Sequence, residues 1–401
     1  MATMWMIVCA TILVIVGGAM GVQPACDKVR FTPLPDAVQK GTVCIDGSPD
    51  GYYLVPGSGD GARNWLIYIN GGGWCESIPA CRGNFQKYYG NSRISWSNIP
   101  NSNGTISKTE DFTGILSENE AINPDFYNWN RIYVTYCDQA SFLGDTVVDD
   151  GQGPIVQFRG SRNFDALVEE LLAKGIGAGE NVILSGRSAG GLATILHCDG
   201  FRARLPNVGR VKCLSDAGFF IRAENVANAD YRDQFFASTI QLHNISSLLP
   251  EKCRKTRDPS LCLYPEYLVG DIQTPLFLLN SAFDYFQVVS RVVPPSTPEG
   301  VRWQSCVTKN ISCTTADIQL LNDFGGAFFQ TINNLPYNPS RGMFIDACFA
   351  HSVAYREQYW SPNSTVKLEN LTILEAFGDW YFDRNSITLI TPSASREFCT
   401  T

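Results

Sequence analysis

Asn181-Val-Ile-Leu-Ser-Gly-Arg-Ser-Ala-Gly-Gly-Leu-Ala-Thr-Ile-Leu-His197 passes from an apolar, β-rich segment directly into a helical one. The join is Gly186-Arg187-Ser188-Ala189-Gly190, a G-x-S-x-G. In the nucleophile elbow that this pattern marks, the strand turns into the helix so tightly that the flanking positions must lack bulk. The serine itself is held in a strained conformation. Its hydroxyl then stands at a helix N-terminus, where partial positive charge favours a developing oxyanion. The bland alternative is a glycine turn that lets a helix pack closely on a strand. The strand before and the helix after select the elbow.

Working outward, further short apolar runs occupy 65–69, 131–137, 211–215, 275–280 and 342–350, besides 181–186. Most are apolar throughout, as strands buried on both faces should be. Helical patterns lie between them, notably 163–174, closed by Gly175, and 190–205, stopped by Pro206. This alternation implies crossover connections and predicts an α/β-hydrolase-like α/β fold, a mainly parallel sheet flanked by helices. Stretches 83–130 and 292–312, rich in Asn, Ser, Pro and Tyr, read as disulfide-pinned loop insertions over one end of the sheet. No repeat or low-complexity linker divides the chain. A leader over residues 1–22 and one catalytic domain over 23–401 are expected.

A serine hydroxyl is a weak nucleophile until a base takes its proton. The chain has three histidines. His197 follows Ser188 by nine residues on the same predicted helix, about 13 Å along its axis and out of reach. His197 reads as a packed helix residue. His243 precedes a sequon at Asn244 and reads as solvent-facing. His351 follows an apolar strand and alone satisfies the order serine, acid, histidine. The acid should end a strand between the two. Asp284, just past 275–280, is favoured, with Asp216 the competitor at the preceding strand end. The carboxylate would fix the imidazole tautomer. Asn70-Gly71-Gly72-Gly73-Trp74 follows an early strand as oxyanion-hole loops of esterases do. Gly73, Trp74 and Ala189 are the expected N–H donors; a plain glycine turn is the alternative.

Composition narrows the setting. Residues 4–22 are apolar and uncharged, ending in small residues at Ala19 and Gly21, which reads as a secretory signal peptide; a retained anchor is the minor alternative. Of fourteen cysteines, thirteen follow the leader. Close pairs at 75/81, 253/262 and 306/313 suit disulfides of an oxidising compartment, and the odd number leaves at least one thiol over. Few histidines and no C-x-x-C disfavour zinc, and neither a metal nor a cofactor is expected. Sequons at Asn103, Asn244, Asn310, Asn363 and Asn370 fit a glycosylated, secreted protein. A net charge of −8 argues against nucleic acid as a partner. No later run is long and apolar enough for a membrane span, and a monomer is expected.

Taken together, the motifs resemble the pectin acetylesterase family of plants, related to the animal Notum carboxylesterases. The resemblance runs from about Val43 towards the C-terminus. It rests on Gly41-Thr-Val-Cys-Ile-Asp-Gly-Ser-Pro49, Gly71-Gly-Gly-Trp-Cys75, Asn123-Pro-Asp-Phe-Tyr-Asn-Trp-Asn130, Tyr136-Cys-Asp-Gln-Ala-Ser-Phe142, residues 185–206 and Phe349-Ala-His351. It implies a triad of Ser188, Asp284 and His351, and release of acetate from acetylated galacturonan in the cell wall. Three positions depart from the family pattern: Arg187 and Ser352 stand where Cys is usual, and Phe286 where Trp is usual. Positions 187 and 352 flank the nucleophile and the base and are expected to lie close in space. Arg187 is a candidate substrate contact or a surface salt-bridge residue. Arg82, Arg159, Arg162 and Arg187 are candidates for a local basic groove that a uronate polymer would need. A Notum-like deacylase of a lipid-modified protein, and a silent binding module on the same scaffold, are the competing readings.

Overall fold

The computed structural model of the chain describes residues 28–87, 90–92, 105–107, 112–393 and 395–399. The leader, Cys26 and Asn103 lie outside the described residues. Ten strands form the main sheet: β1 (Lys28–Pro33), β2 (Gly51–Val55), β3 (Asn64–Ile69), β4 (Thr105–Ser107), β5 (Asn130–Val134), β6 (Asn181–Arg187), β7 (Arg210–Asp216), β8 (Leu276–Ser281), β9 (Gly342–Asp346) and β10 (Thr388–Ile390). Their spatial order is β10-β9-β8-β7-β6-β3-β5-β2-β1-β4. From β10 to β5 every neighbouring pair is parallel, and β2, β1 and β4 extend the sheet antiparallel. This is the α/β-hydrolase-like sheet expected from the alternation of strand and helix patterns.

Alternate side chains of the central strands enter two separate cores. Trp65, Ile67 and Ile69 join one with Val182 and Leu184, while Leu66, Tyr68 and Ile183 join the other. Covering both faces explains why these strands read as continuous apolar runs rather than as alternating ones. On the first face pack α1 (Gly160–Ala173), through Phe164, Leu167 and Leu171, and α2 (Ala189–Ala203), through Leu192, Ile195 and Phe201. The second face is covered by the helix Ile373–Tyr381, whose Phe377, Trp380 and Tyr381 are buried. That helix starts with a reciprocal cap between Thr372 and Glu375.

One of the two long insertions is held differently from expectation, and the other is pinned by a disulfide as expected but carries a helix. The described part of 83–130 contains no cysteine; Phe112, Ile115, Leu116, Phe126 and Trp129 enter the second core, so apolar packing holds it. Within 292–312 lies a helix, Pro298–Lys309, anchored by buried Trp303 and by the Cys306–Cys313 disulfide. The three close cysteine pairs are bonded as their spacing implied. Cys44–Cys137, Cys198–Cys213 and Cys348–Cys399 are also bonded. Among the described residues no helix is long and apolar enough to cross a membrane.

Candidate active site

Ser188 sits between β6 and α2 with φ 55° and ψ −127°, a conformation that costs a non-glycine residue strain. Its N–H donates to the Asp216 carbonyl (2.8 Å) and its carbonyl accepts from Leu192 N–H (3.0 Å), so the strain is locked in from both sides. The flanking glycines are required sterically. A Cβ on Gly186 would lie 2.3 Å from the Gly190 carbonyl oxygen, and one on Gly190 would lie 2.1 Å from that of Asn70.

His351 leaves the end of β9, where the Cys348–Cys399 bond fixes the chain three residues earlier. Its Nδ1 lies 2.6 Å from Oδ2 of Asp284. Asp284 is fully buried at the end of β8, and its Oδ1 accepts the Gln287 N–H (2.9 Å) as cap of the helix Tyr285–Arg291. With Nδ1–H donating to the carboxylate, Nε2 carries the lone pair and can accept a proton. Phe286, from the same helix, stacks on the imidazole with ring centroids 5.5 Å apart.

Asp216, the rival acid, is engaged differently. Its side chain is fully buried and its two oxygens accept the N–H groups of Val353 and Ala354, each at 3.0 Å. It therefore holds the backbone just beyond His351, while its own carbonyl holds Ser188. Burial pushes its carboxyl up to about 6.

Ser188 and His351 open onto one cavity of about 290 Å³, bordered also by Gly71, Gly72, Gly73, Arg187, Phe286, Ser352 and Arg356. Arg187 and Ser352 thus border the same cavity, in line with the expectation that they lie close in space. Arg187 donates from Nε to Asn70 Oδ1 (2.7 Å) and lies 4.7 Å from the centre of the Tyr355 ring. Gly73 has φ 71°, a left-handed conformation suited to glycine, and puts the start of the Gly73–Trp74 peptide at the cavity wall. Beyond Phe286 the Trp74 side chain packs edge-on against Phe220 (4.9 Å) and Phe236 (5.2 Å). The space left among these rings is about 20 Å³.

Other sequence expectations fall elsewhere. His197 is a packed helix residue, stacked on Phe164 at 4.0 Å, and burial pushes its pKa down to about 4. His243 does not face solvent: it is fully buried, with Nε2 2.9 Å from the Cys75 carbonyl and its ring 4.0 Å from that of Phe158. At the helix end the chain turns, so His243 points inward under the Cys75–Cys81 loop while Asn244 points out. Three of the four groove arginines are away from the cavity. Arg82 pairs with Asp150, and Arg159 and Arg162 share Asp145. Arg356, which does border the cavity, carries no sequence signal beyond lying five residues past His351.

A serine on a strained elbow and a carboxylate-held imidazole, facing one cavity on such a sheet, form the arrangement of α/β-hydrolase carboxylesterases. That is the class of this chain. Comparison with known proteins narrows it: the chain matches the Pectinacetylesterase family over residues 22–398 and belongs to that family. Pectin acetylesterase 7 of Arabidopsis thaliana is 37% identical over 362 residues, covering 90% of each chain. The palmitoleoyl-protein carboxylesterase Notum of Drosophila melanogaster is 26% identical, covering 88% of this chain and 49% of its own. The fold is similar to that of the Drosophila Wnt deacylase Notum, with a TM-score of 0.73 at 24% identity, covering 92% of this chain and 97% of the other.

Proposed function

We propose that this protein is a secreted serine acetylesterase that removes acetyl groups from galacturonan in the cell wall. Ser188 attacks the acetyl carbonyl as His351 Nε2 takes its proton, and Asp284 stabilises the imidazolium that forms. The tetrahedral oxyanion is met by the N–H groups of Gly73, Trp74 and Ala189. The intermediate collapses to an acetyl-enzyme as His351 returns the proton to the departing sugar oxygen. Water, deprotonated by the same imidazole, then releases acetate and restores Ser188.

The lining of the cavity carries the substrate assignment. Among the described residues two arginines, Arg187 and Arg356, border it, against a single large apolar side chain, Phe286. Such a wall suits an anionic sugar carrying a small acyl group. The aromatic cluster beyond Phe286 is closely packed, with about 20 Å³ left among its side chains, which favours a short acyl group over a long one. Export is supported by six disulfides and by exposed asparagines at the described sequons, Asn244, Asn310, Asn363 and Asn370.

The uronate contact is tested by Arg356→Gln. A charge-assisted hydrogen bond contributes about 1.5–3 kcal/mol, so KM for acetylated homogalacturonan should rise roughly 10- to 150-fold. Acetylated xylan, a neutral polymer, should lose much less in the same variant. Equal losses on both polymers would remove Arg356 from substrate recognition.

A further inference from the structure

The run Tyr136-Cys-Asp-Gln-Ala-Ser-Phe142 has no chemistry assigned to it above, yet its side chains reach both backbone segments expected to form the oxyanion hole. The Tyr136 hydroxyl donates to the Gly73 carbonyl at 2.7 Å and accepts the Ser141 N–H at 3.0 Å. Ser141 Oγ accepts the Trp74 indole N–H at 2.9 Å and donates to the Ala189 carbonyl at 2.8 Å. The Gln139 amide lies 3.5 Å from the Gly72 carbonyl, at the long limit of a hydrogen bond. Tyr136 and Ser141 are fully buried.

We propose that the 136–142 turn sets the oxyanion hole, with Tyr136 and Ser141 as positioning residues for its N–H donors. A trans peptide is planar, so its C=O and N–H point in opposite directions. Holding the Gly73 carbonyl therefore aims the Trp74 N–H away from Tyr136, and holding the Gly72 carbonyl does the same for the Gly73 N–H. Ser141 holds the other loop through the Ala189 carbonyl, which belongs to the peptide after the one that carries the Ala189 N–H, and ties it to the Trp74 side chain. A hole assembled from two separate loops thereby acquires one fixed spacing.

The turn is built to be rigid. Gln139, Ser141 and Phe142 have φ of 61°, 57° and 58°, left-handed values that non-glycine residues keep only where surrounding contacts over-determine them. Those contacts come from Asp138, fully buried, whose Oδ2 accepts the N–H groups of Ala140 (3.1 Å) and Phe142 (2.8 Å). Burial also holds the Tyr136 phenol well above its ordinary pKa, so it stays protonated and keeps its donor.

This inference rests on the reading of Ser188 as nucleophile and of Gly73, Trp74 and Ala189 as donors. Tyr136→Phe and Ser141→Ala would be assayed on p-nitrophenyl acetate beside the unaltered protein. Turnover would be expressed per active site titrated with a serine-reactive phosphonate. In Tyr136→Phe, kcat should fall about 10- to 100-fold with KM within about threefold, since only the transition state uses the hole. The rate of phosphonylation should fall by the same factor, because the phosphonyl oxygen occupies the same hole. Ser141→Ala should show the same split, and carries the test alone if Tyr136→Phe does not fold. Normal turnover per titrated site, even in a variant with a lowered melting temperature, would mean that the turn only supports the fold and would overturn the inference. Failure of the phosphonate to label Ser188 in the unaltered protein would instead overturn the nucleophile assignment.

Discussion

Ser188→Ala is expected to lower ester hydrolysis by about 10⁵-fold or more, the scale on which losing a triad serine acts. The chain should nevertheless fold as before. Alanine keeps the Cβ and the N–H that donates to the Asp216 carbonyl, and Ser188 has only 7% of its surface exposed. The backbone strain at this position is a property of the elbow, so the variant bears it equally and the melting temperature should hardly move. A serine-reactive phosphonate should label the unaltered protein at position 188 and leave the variant unlabelled. Labelling at another serine, or turnover near normal in the variant, would refute the assignment.

His351→Ala should cost about 10³-fold or more in kcat, because among the described residues that border the cavity no other side chain is suited to take the hydroxyl proton. Asp284→Asn should cost on the order of 10³- to 10⁴-fold, since an amide that faces Nδ1 with its N–H₂ selects the wrong tautomer. Asp216→Asn should be milder. It loses one of two backbone N–H acceptances behind His351 but leaves the Asp284 hydrogen bond in place. His197 and His243 should contribute mainly stability, because both are buried in packing contacts and neither borders the cavity. The ordering of the two aspartates decides the acid. If Asp216→Asn proves the more damaging change, the acid is Asp216.

The legible parts of this molecule are those that depend on local pattern. The strand-elbow-helix run at 181–203 could be read directly because apolar residues, two glycines and a serine must follow one another there for steric reasons. The six central strands were readable within a few residues because burial on both faces leaves a continuous apolar signature. His351 emerged by elimination from three histidines. Contacts between distant segments were not readable. His243 looked exposed beside a sequon, yet it is covered by a loop more than 160 residues earlier in the chain. Arg82, Arg159 and Arg162 looked available for substrate, but Asp150 and Asp145 neutralise them at distances no spacing rule reveals. Arg356 gave no signal because its position is set by Asp216, which holds the Val353 and Ala354 backbone from another strand. The antiparallel strands β1 and β2 went unread: Lys28–Pro33 mixes charged and apolar residues, and Gly51–Val55 offers only a four-residue apolar run, Tyr-Tyr-Leu-Val, between a glycine and Pro56.

Two structural features bear on chemistry beyond the triad. The proposed preference for a charged sugar and a short acyl group rests on the arginines that border the cavity and on the close packing of the aromatic rings beyond Phe286. The chain as a whole carries a net charge of −8, so the proposed polyanionic substrate would depend on that wall for its attraction. The most direct test measures acetate released from acetylated homogalacturonan alongside hydrolysis of p-nitrophenyl acetate and p-nitrophenyl octanoate. Acetate release from the polymer, with kcat/KM on the acetyl ester exceeding that on the octanoyl ester at least tenfold, is the result predicted by the cavity. No acetate from the polymer together with preference for the octanoyl ester would contradict it and would make the protein a deacylase of long-chain esters.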